Sequence, residues 1–235
     1  MNRMMSVTKE YGSVEEQRKF ILNVYNWMAS GLFATGFIAY SVGNSPLFLN
    51  MVFGNPMVFY ALIIGELGLV FYLSGWINKM SAQTAKLTFM GYAALNGVTM
   101  SFVFLAYTSA SITSAFLVTA VTFGAMSLYG YTTKKDLTSW GSFLFMGLIG
   151  IIIASLVNIF MQSPMIYWLT TYAGVLIFTG LTAYDTQKIK EMGVAGLAGT
   201  DQGTRVAVSG ALMLYLDFIN LFLMILRVVG GGRDD

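Results

Sequence analysis

The sequence predicts an all-α polytopic membrane protein with seven transmembrane helices. Of its 235 residues, 56% are hydrophobic and only 10% are charged, whereas soluble domains carry about a quarter charged residues. Seven separate stretches are also long and apolar enough to cross a bilayer, which takes about 20 residues each. These observations predict a membrane domain over 20–229, between an N-terminal tail (1–19) and a short C-terminal tail (230–235).

Two of the predicted helices begin at a clear local signal. Asn55-Pro56 and Ser163-Pro164 each place an N-capping residue before a proline at the first helical position, where the missing N–H costs nothing. A tight turn at 107–110 joins the third and fourth spans, and a polar, glycine-containing segment at 186–205 is predicted as a flexible loop. The predicted spans are 20–42, 56–75, 87–107, 111–131, 141–162, 165–185 and 206–229.

The last predicted span has two interpretations. Asp217 and Asn220 interrupt its apolar run, which is also typical of a re-entrant hairpin. Its 24 residues are long enough to cross a bilayer with some tilt, so we expect a full crossing.

The basic residues predict the orientation. Loops 43–55, 108–110 and 163–164 contain no Lys or Arg, and Arg227 and Arg233 are the only two on that side of a seven-span arrangement. By the positive-inside rule, the N-terminus is expected in the cytoplasm and the C-terminus outside. The basic residues on the predicted cytoplasmic side are Arg3, Lys9, Arg18, Lys19, Lys79, Lys86, Lys134, Lys135, Lys188, Lys190 and Arg205.

Composition also excludes several classes of chemistry. A net charge of +2 indicates no nucleic-acid surface, and the absence of Cys excludes disulfides and thiolate chemistry. The chain has no His, so any response to pH must come from carboxylates or another displaced group. We expect no tightly bound cofactor and no enzymatic activity.

Three acidic residues lie within or at the edge of predicted spans: Glu66, Asp217 and Asp185. A carboxylate at the bilayer centre costs about 2.5–3.5 kcal/mol on insertion scales, so it normally faces a bundle interior or a water cavity. Glu66 is either a protonated acid bonded to a neighbouring helix or a cation or proton site. Asp217 shares a helix face with Asn220, as a polar seam or as a titrating group. Asp185 could simply pair with Lys188 one turn on.

The sixth and seventh spans are joined by one loop, so Asp185 and Asp217 could approach each other. Two carboxylates within hydrogen-bond distance cannot both ionise cheaply, so such a pair shares a proton. Hard cations such as Ca²⁺ prefer six to eight oxygen ligands. Glu66, Asp185 and Asp217, with backbone carbonyls and water, would make a weak calcium site suited to permeation.

Four motifs carry a resemblance to a known family. The most specific is Leu214–Phe222, which reads LYLDFINLF; the others are 97–101 (GVTMS), 133–137 (TKKDL) and 184–187 (YDTQ). Together they resemble the Bax inhibitor-1 family, also called the transmembrane Bax inhibitor motif family, over about residues 20–229. The compact chain looks like a bacterial member located in the inner membrane.

The resemblance implies a fold, a function and a set of residues. The fold has seven helices, with the seventh surrounded by the other six. The function is a pH-sensitive calcium leak, in which Asp185 and Asp217 form a di-aspartyl proton sensor. Glu66 matches the family's acid in the ion path, which Asn220 would also line. Calcium and protons are then the expected small partners, and the lipid bilayer is the surroundings.

One position departs from related bacterial proteins, which carry an arginine cluster after the second helix. One of those arginines latches onto the aspartyl pair. This chain has Trp76-Ile77-Asn78-Lys79 there. Lys79 is the candidate latch, but Lys lacks the planar fork that grips a carboxylate with two hydrogen bonds. The resemblance therefore predicts a weaker latch or none.

Three other functions use the same features. A non-transporting regulator of a membrane protease or other membrane complex would act through the N-terminal tail and the 186–205 loop. A proton-coupled cation exchanger would use the same acids, although the chain shows no internal repeat of the kind that accompanies alternating access. An intramembrane aspartyl protease also pairs two Asp on neighbouring helices. It needs glycine-containing GxGD and Pro-Ala-Leu motifs, which this chain lacks.

Overall fold

The computed structural model describes residues 14–193, 197 and 199–230, and every regular element in that part of the chain is helical. The all-α prediction is therefore confirmed there. A short 3-10 turn occupies Ile77–Lys79. The α-helices are, in chain order, α1 (Val14–Gly43), α2 (Pro46–Phe53), α3 (Pro56–Trp76), α4 (Ala82–Met100), α5 (Val103–Ala106), α6 (Ser109–Thr132), α7 (Thr138–Met161), α8 (Pro164–Met192) and α9 (Asp201–Val229).

Six helical segments in the described residues are long and apolar enough to cross a membrane by themselves. The count reaches seven if α1 and α2, which bend by 100° at a short break, form one broken span. The chain is thus a multi-pass membrane protein with six or seven candidate spans. The bend has a local cause, because Ser45 is extended before Pro46, and a residue before proline is pushed out of the helical region.

Two predicted loops are wrong in extent. The loop 43–55 contains α2, an apolar helix too short to cross a bilayer by itself. The predicted tail 1–19 overlaps the start of α1 at Val14, and residues 1–13 lie outside the described part of the chain. The loop 186–205 is much shorter, because α8 runs on to Met192 and α9 starts at Asp201. Good helix formers such as Gln and Lys extend α8 past its apolar run. Residues 194–196 and 198 of that loop also lie outside the described part.

The helix starts predicted from proline are confirmed. The Asn55 side chain accepts a hydrogen bond from the Met57 N–H at 3.0 Å, and Pro56 is the first residue of α3. Pro164 is the first residue of α8. The last helix, α9, is continuous from Asp201 to Val229, so the hairpin interpretation of this span is wrong.

The exposed surface of the helices is apolar. Among the large hydrophobic side chains, Phe160 is 88% exposed, Met165 79% and Met57 77%. The single buried residue of α3 is Leu73, so most of that helix is turned away from other protein atoms. Soluble monomers rarely expose contiguous apolar patches this extensive. Lipid is the solvent that such a surface fits.

The chain divides into two compact units. The first contains the chain up to Ala106 together with Ile189–Tyr215, and α1 packs chiefly against α4, which also contacts α3. The second contains Tyr107–Lys188 and the chain from Leu216 onward. Each unit holds one group of the acidic residues singled out above: Glu66 is in the first, and Asp185 and Asp217 are in the second.

Candidate functional site: an aspartyl pair and a glutamate network

In the second unit, the structure brings Asp185 of α8 and Asp217 of α9 together. Their carboxyl groups are close enough to interact with each other directly. Asp217 is only 5% exposed, and its Oδ2 atom has no hydrogen-bond partner in the described residues. An ionised carboxylate can only accept, so a hydrogen bond between the two carboxyl groups requires a proton on one of them. The pair is therefore suited to share one proton.

Two glycines allow α8 to lie where this pair needs it. A Cβ atom added to Gly130 of α6 would lie 2.1 Å from the carbonyl oxygen of Ala183, two residues before Asp185. A Cβ atom on Gly141 of α7 would lie 2.5 Å from the ring of Tyr184. Small residues at such positions permit close helix contact in membranes. The YDTQ motif is thus positioned by direct contact of α6 and α7 with α8.

The alternative interpretation of Asp185 is a local ion pair with Lys188. No ion pair within 4.0 Å joins these two residues, although they are close enough to interact electrostatically. The Lys188 ammonium also lies 5.9 Å from the centre of the Tyr184 ring. Both Asp217 and Lys188 therefore act on the Asp185 carboxyl.

Gln187 ties the YDTQ motif to the loop that precedes α7. Its Oε1 accepts from the Leu137 N–H at 2.9 Å, and its Nε2 donates to the Lys135 carbonyl at 2.8 Å. One amide side chain thus satisfies both a donor and an acceptor of the loop. Two motifs that the sequence analysis used only as family markers, YDTQ and TKKDL, are joined here by direct hydrogen bonds.

Asn220 does not reach the aspartyl pair with its amide nitrogen, although it shares a helix face with Asp217. Its Nδ2 donates to the Leu216 carbonyl one turn back at 2.8 Å. Phe218, next to Asp217, packs against the rings of Phe116 and Phe123 with centroids 5.7 and 5.4 Å away. The surroundings of this part of α9 are therefore largely apolar.

In the first unit, Glu66 of α3 is bound by two side chains of α4. The Thr99 hydroxyl donates to its Oε1 at 2.5 Å, and the Asn96 amide contacts its Oε2 at 3.4 Å. Asn96 and Thr99 are each 5% exposed. The prediction that Glu66 faces another helix rather than lipid is consistent with these bonds.

The Glu66 contacts continue into α9 and α1. Tyr215 is fully buried, and its hydroxyl lies 2.9 Å from Asn96 Oδ1 and 2.6 Å from Thr35 Oγ1. Thr35 also lies 2.8 Å from the Ala93 carbonyl. A continuous network of polar side chains therefore runs from Glu66 through Asn96 and Tyr215 to Thr35.

The remaining predicted site residue, Lys79, ends the 3-10 turn after α3 and is exposed. It lies in the first unit, and its role as a latch stays a prediction. Within the described residues no three acidic side chains are grouped as ligands for a metal ion. The weak three-carboxylate calcium site also stays a prediction.

Sequence reasoning missed Asn96, Tyr215, Thr35 and Gln187. Each is polar or aromatic within a helix, which is a weak signal because such residues commonly bond to their own helix. Their partners lie between 50 and 180 positions away along the chain, apart from Glu66, which is 30 residues from Asn96. Only the packing of the helices reveals these contacts.

Comparison with known proteins agrees with this architecture. Residues 17–234 match the family described as "Inhibitor of apoptosis-promoting Bax1". The inner membrane protein YbhL of Escherichia coli (strain K12) is 51% identical over 215 residues, covering 91% of this chain and 92% of its own. An uncharacterized protein of Borreliella burgdorferi is 46% identical over 232 residues, covering 99% and 100%. An uncharacterized membrane protein of Streptococcus pyogenes is 38% identical over 219 residues, covering 92% and 93%.

Proposed function

The chain belongs to the Bax inhibitor-1 family, and from that membership we propose that it is a pH-sensitive leak for calcium across a bacterial inner membrane. The proposal includes a seven-span arrangement with the last helix surrounded by the others, the N-terminus in the cytoplasm and the C-terminus outside. It assigns the protein no catalytic reaction and no tightly bound cofactor. Calcium is the permeant ion, and the proton is the regulator.

The observation that carries the proposal is the close approach of the half-buried Asp185 and the buried Asp217. With one proton shared, the pair joins α8 to α9. Without it, two negative charges face each other in a site that water enters poorly, and Coulomb repulsion at low dielectric is strong. Loss of the proton therefore favours separation of the two helices, or entry of a cation between them.

Calcium suits such a site for chemical reasons. Ca²⁺ is a hard cation that takes oxygen ligands, and a deprotonated pair offers up to four carboxylate oxygens. A site with two Asp and few other fixed ligands would bind Ca²⁺ weakly. Weak binding lets an ion enter and leave, as conduction requires. Glu66, with its polar neighbours on α4, would supply a further carboxylate along the path.

The direct test uses the purified protein in liposomes that contain a calcium-sensitive dye. Calcium entry is recorded between about pH 6 and 8 for the wild type and Asp217→Asn. Asp201→Asn is the matched control, because Asp201 is an exposed acid at the start of the same helix. We expect pH-dependent entry in the wild type and the control, and entry that no longer responds to pH in Asp217→Asn.

Absence of calcium entry at every pH, in protein that retains its helical circular dichroism, would refute the leak. The regulator of a membrane protease or other membrane complex would then become the leading function. That hypothesis predicts that shortening the N-terminal tail removes the cellular effect while Asp217→Asn does not. Cleavage of a transmembrane peptide by the purified protein would instead indicate an aspartyl protease.

A further inference from the structure

The last turn of α9 carries a cation that has no acidic partner in the described residues. Arg227 is half-buried and is the third residue from the end of the helix. The one ion pair within 4.0 Å in the described part of the chain joins Lys19 to Glu15, so no carboxylate there neutralises Arg227. Its Nη1 faces Met224 Sδ at 4.0 Å, and a thioether is only a weak acceptor. Most donors of this guanidinium are therefore left for another ligand.

These donors are open to the surroundings of the protein. Among the described residues, a side-chain nitrogen that is both buried and without a hydrogen-bond partner occurs at Arg205 and not at Arg227. Val228 and Val229, which follow Arg227 in the chain, are exposed. The guanidinium thus lies at the surface of the helices, where a ligand can reach it.

Two tyrosines hold the guanidinium in place. Tyr167, in the first turn of α8, has its ring centre 5.4 Å from the guanidinium carbon of Arg227. Tyr107 is close enough to both residues to interact with them electrostatically. A Cβ atom added to Gly230 would lie 2.6 Å from the Tyr107 ring, so this ring packs against the end of α9. All four residues belong to the second compact unit. An arginine stacked on an aromatic ring is already oriented for binding.

The aromatic contacts continue to the lipid-facing surface of α8. The Trp168 ring meets Tyr167 edge to face at 5.5 Å and stacks on Tyr172 at 5.7 Å. Trp168 and Tyr172 are exposed, and Trp and Tyr are enriched where a membrane protein meets lipid headgroups. Tyr172 shares a helix face with Leu169 and Leu176, which are also exposed. The guanidinium therefore lies at the level of the headgroups, beside an apolar surface that suits acyl chains.

We propose that Arg227 binds the phosphate group of a membrane phospholipid, whose acyl chains lie on the exposed face of α8 beside Trp168 and Tyr172. A guanidinium presents parallel N–H groups that match two phosphate oxygens. It is also more weakly hydrated than an ammonium, which favours binding at an apolar surface. Phospholipid phosphate is the anion present in quantity at this depth of a bilayer. The site recognises the phosphate and not the rest of the headgroup.

Native mass spectrometry of the full chain, released from a neutral detergent, tests the site without calcium. Phosphatidylglycerol is added in increasing amounts, and the bound molecules are counted. We expect the wild type to retain one more phosphatidylglycerol than Arg227→Gln, which should bind that molecule about tenfold more weakly. Arg18→Gln is the matched control, because Arg18 is an exposed arginine on α1, and it should bind as the wild type does.

Two further ligands identify the group that is recognised. Diacylglycerol with the same acyl chains lacks the phosphate, and inorganic phosphate lacks the chains. The wild type should retain neither at the concentration at which it retains phosphatidylglycerol.

A second variant covers the case in which Arg227→Gln does not fold. Tyr167→Leu keeps the charge of Arg227 but removes the ring that orients it, so binding of phosphatidylglycerol should also weaken. Tyr60→Leu is its control, because Tyr60 is an exposed tyrosine on α3, and its binding should not change. Helical circular dichroism of each variant checks the fold.

Several results would overturn the proposal. These are equal binding by the wild type and folded Arg227→Gln, an equal loss in Arg18→Gln, or retention of diacylglycerol or inorganic phosphate as strongly as phosphatidylglycerol. Binding that occurs only after removal of residues 231–235 would also overturn it, because Asp234 or Asp235 would then be the partner of Arg227. Calcium entry is not measured, so none of these results bears on the proposed leak.

Discussion

Replacing Gly130 with alanine should separate α6 from α8 and disturb the aspartyl pair without touching it. The added Cβ would lie 2.1 Å from the Ala183 carbonyl oxygen. A carbon and a carbonyl oxygen in contact need about 3.3 Å, so the two backbones must move apart by about 1 Å. A shift of that size, two residues before Asp185, is enough to break a hydrogen bond between two carboxyl groups.

The expected loss of stability follows from two opposing effects. Overpacking a close contact costs about 1–3 kcal/mol, and a contact with backbone cannot relax by a change of rotamer. Alanine gains about 1 kcal/mol over glycine within a helix. We therefore expect Gly130→Ala to lose up to about 2 kcal/mol of unfolding free energy.

The matched control lies on the same helix. A Cβ atom on Gly124 would meet nothing within 4 Å, so Gly124→Ala should be neutral or stabilising. The assay is thermal unfolding in detergent, followed by calcium entry into liposomes at several pH values. If Gly130→Ala proves as stable as Gly124→Ala and keeps the wild-type pH response, the close α6–α8 contact does not position Asp185.

Two further predictions concern the loop before α7. Gln187→Leu removes both hydrogen bonds to this loop, so trypsin should cleave the loop about tenfold faster. Gln83→Leu changes an exposed residue of α4 and should not alter the cleavage rate. An equal rate of trypsin cleavage in both variants would show that the Gln187 hydrogen bonds do not hold the loop in place. Hydrogen bonds from the Thr138 hydroxyl and N–H hold the pKa of the Asp136 carboxyl below its usual range. Its contribution to stability is thus present above the ordinary pKa of about 3.9 and is lost as pH falls through the lower folded value. Asp136→Asn should be less stable than the wild type at neutral pH, and a stability difference that persists below about pH 2 would contradict the assignment.

Much of the fold could be predicted because bilayer insertion imposes strong rules on sequence. Apolar length predicts the six helical segments that are long enough to cross a bilayer, and Asn55-Pro56 and Ser163-Pro164 predict the starts of α3 and α8. The α2 helix was missed because its eight residues are too few to cross a bilayer, although Ser45-Pro46 carries the same start signal as Asn55-Pro56. The end of α8 was missed because its last turns are polar, so hydropathy does not mark them.

The site could be predicted only in part. Glu66, Asp185 and Asp217 stand out because charge inside a span is rare, and the family resemblance pairs the two Asp. The partners of Glu66 do not stand out. Asn96 and Tyr215 become part of a site only through the register of α3, α4 and α9, which side-chain packing decides.

The most direct test of the central claim is a double-mutant cycle on calcium entry. Asp185→Asn, Asp217→Asn and the variant with both changes are compared with the wild type across the same pH range. If the two carboxyls share one proton and act as one unit, either single change should remove the pH response, and the second should add nothing. Single effects that add, or a pH response that survives in the double variant, would contradict an aspartyl pair as the proton sensor.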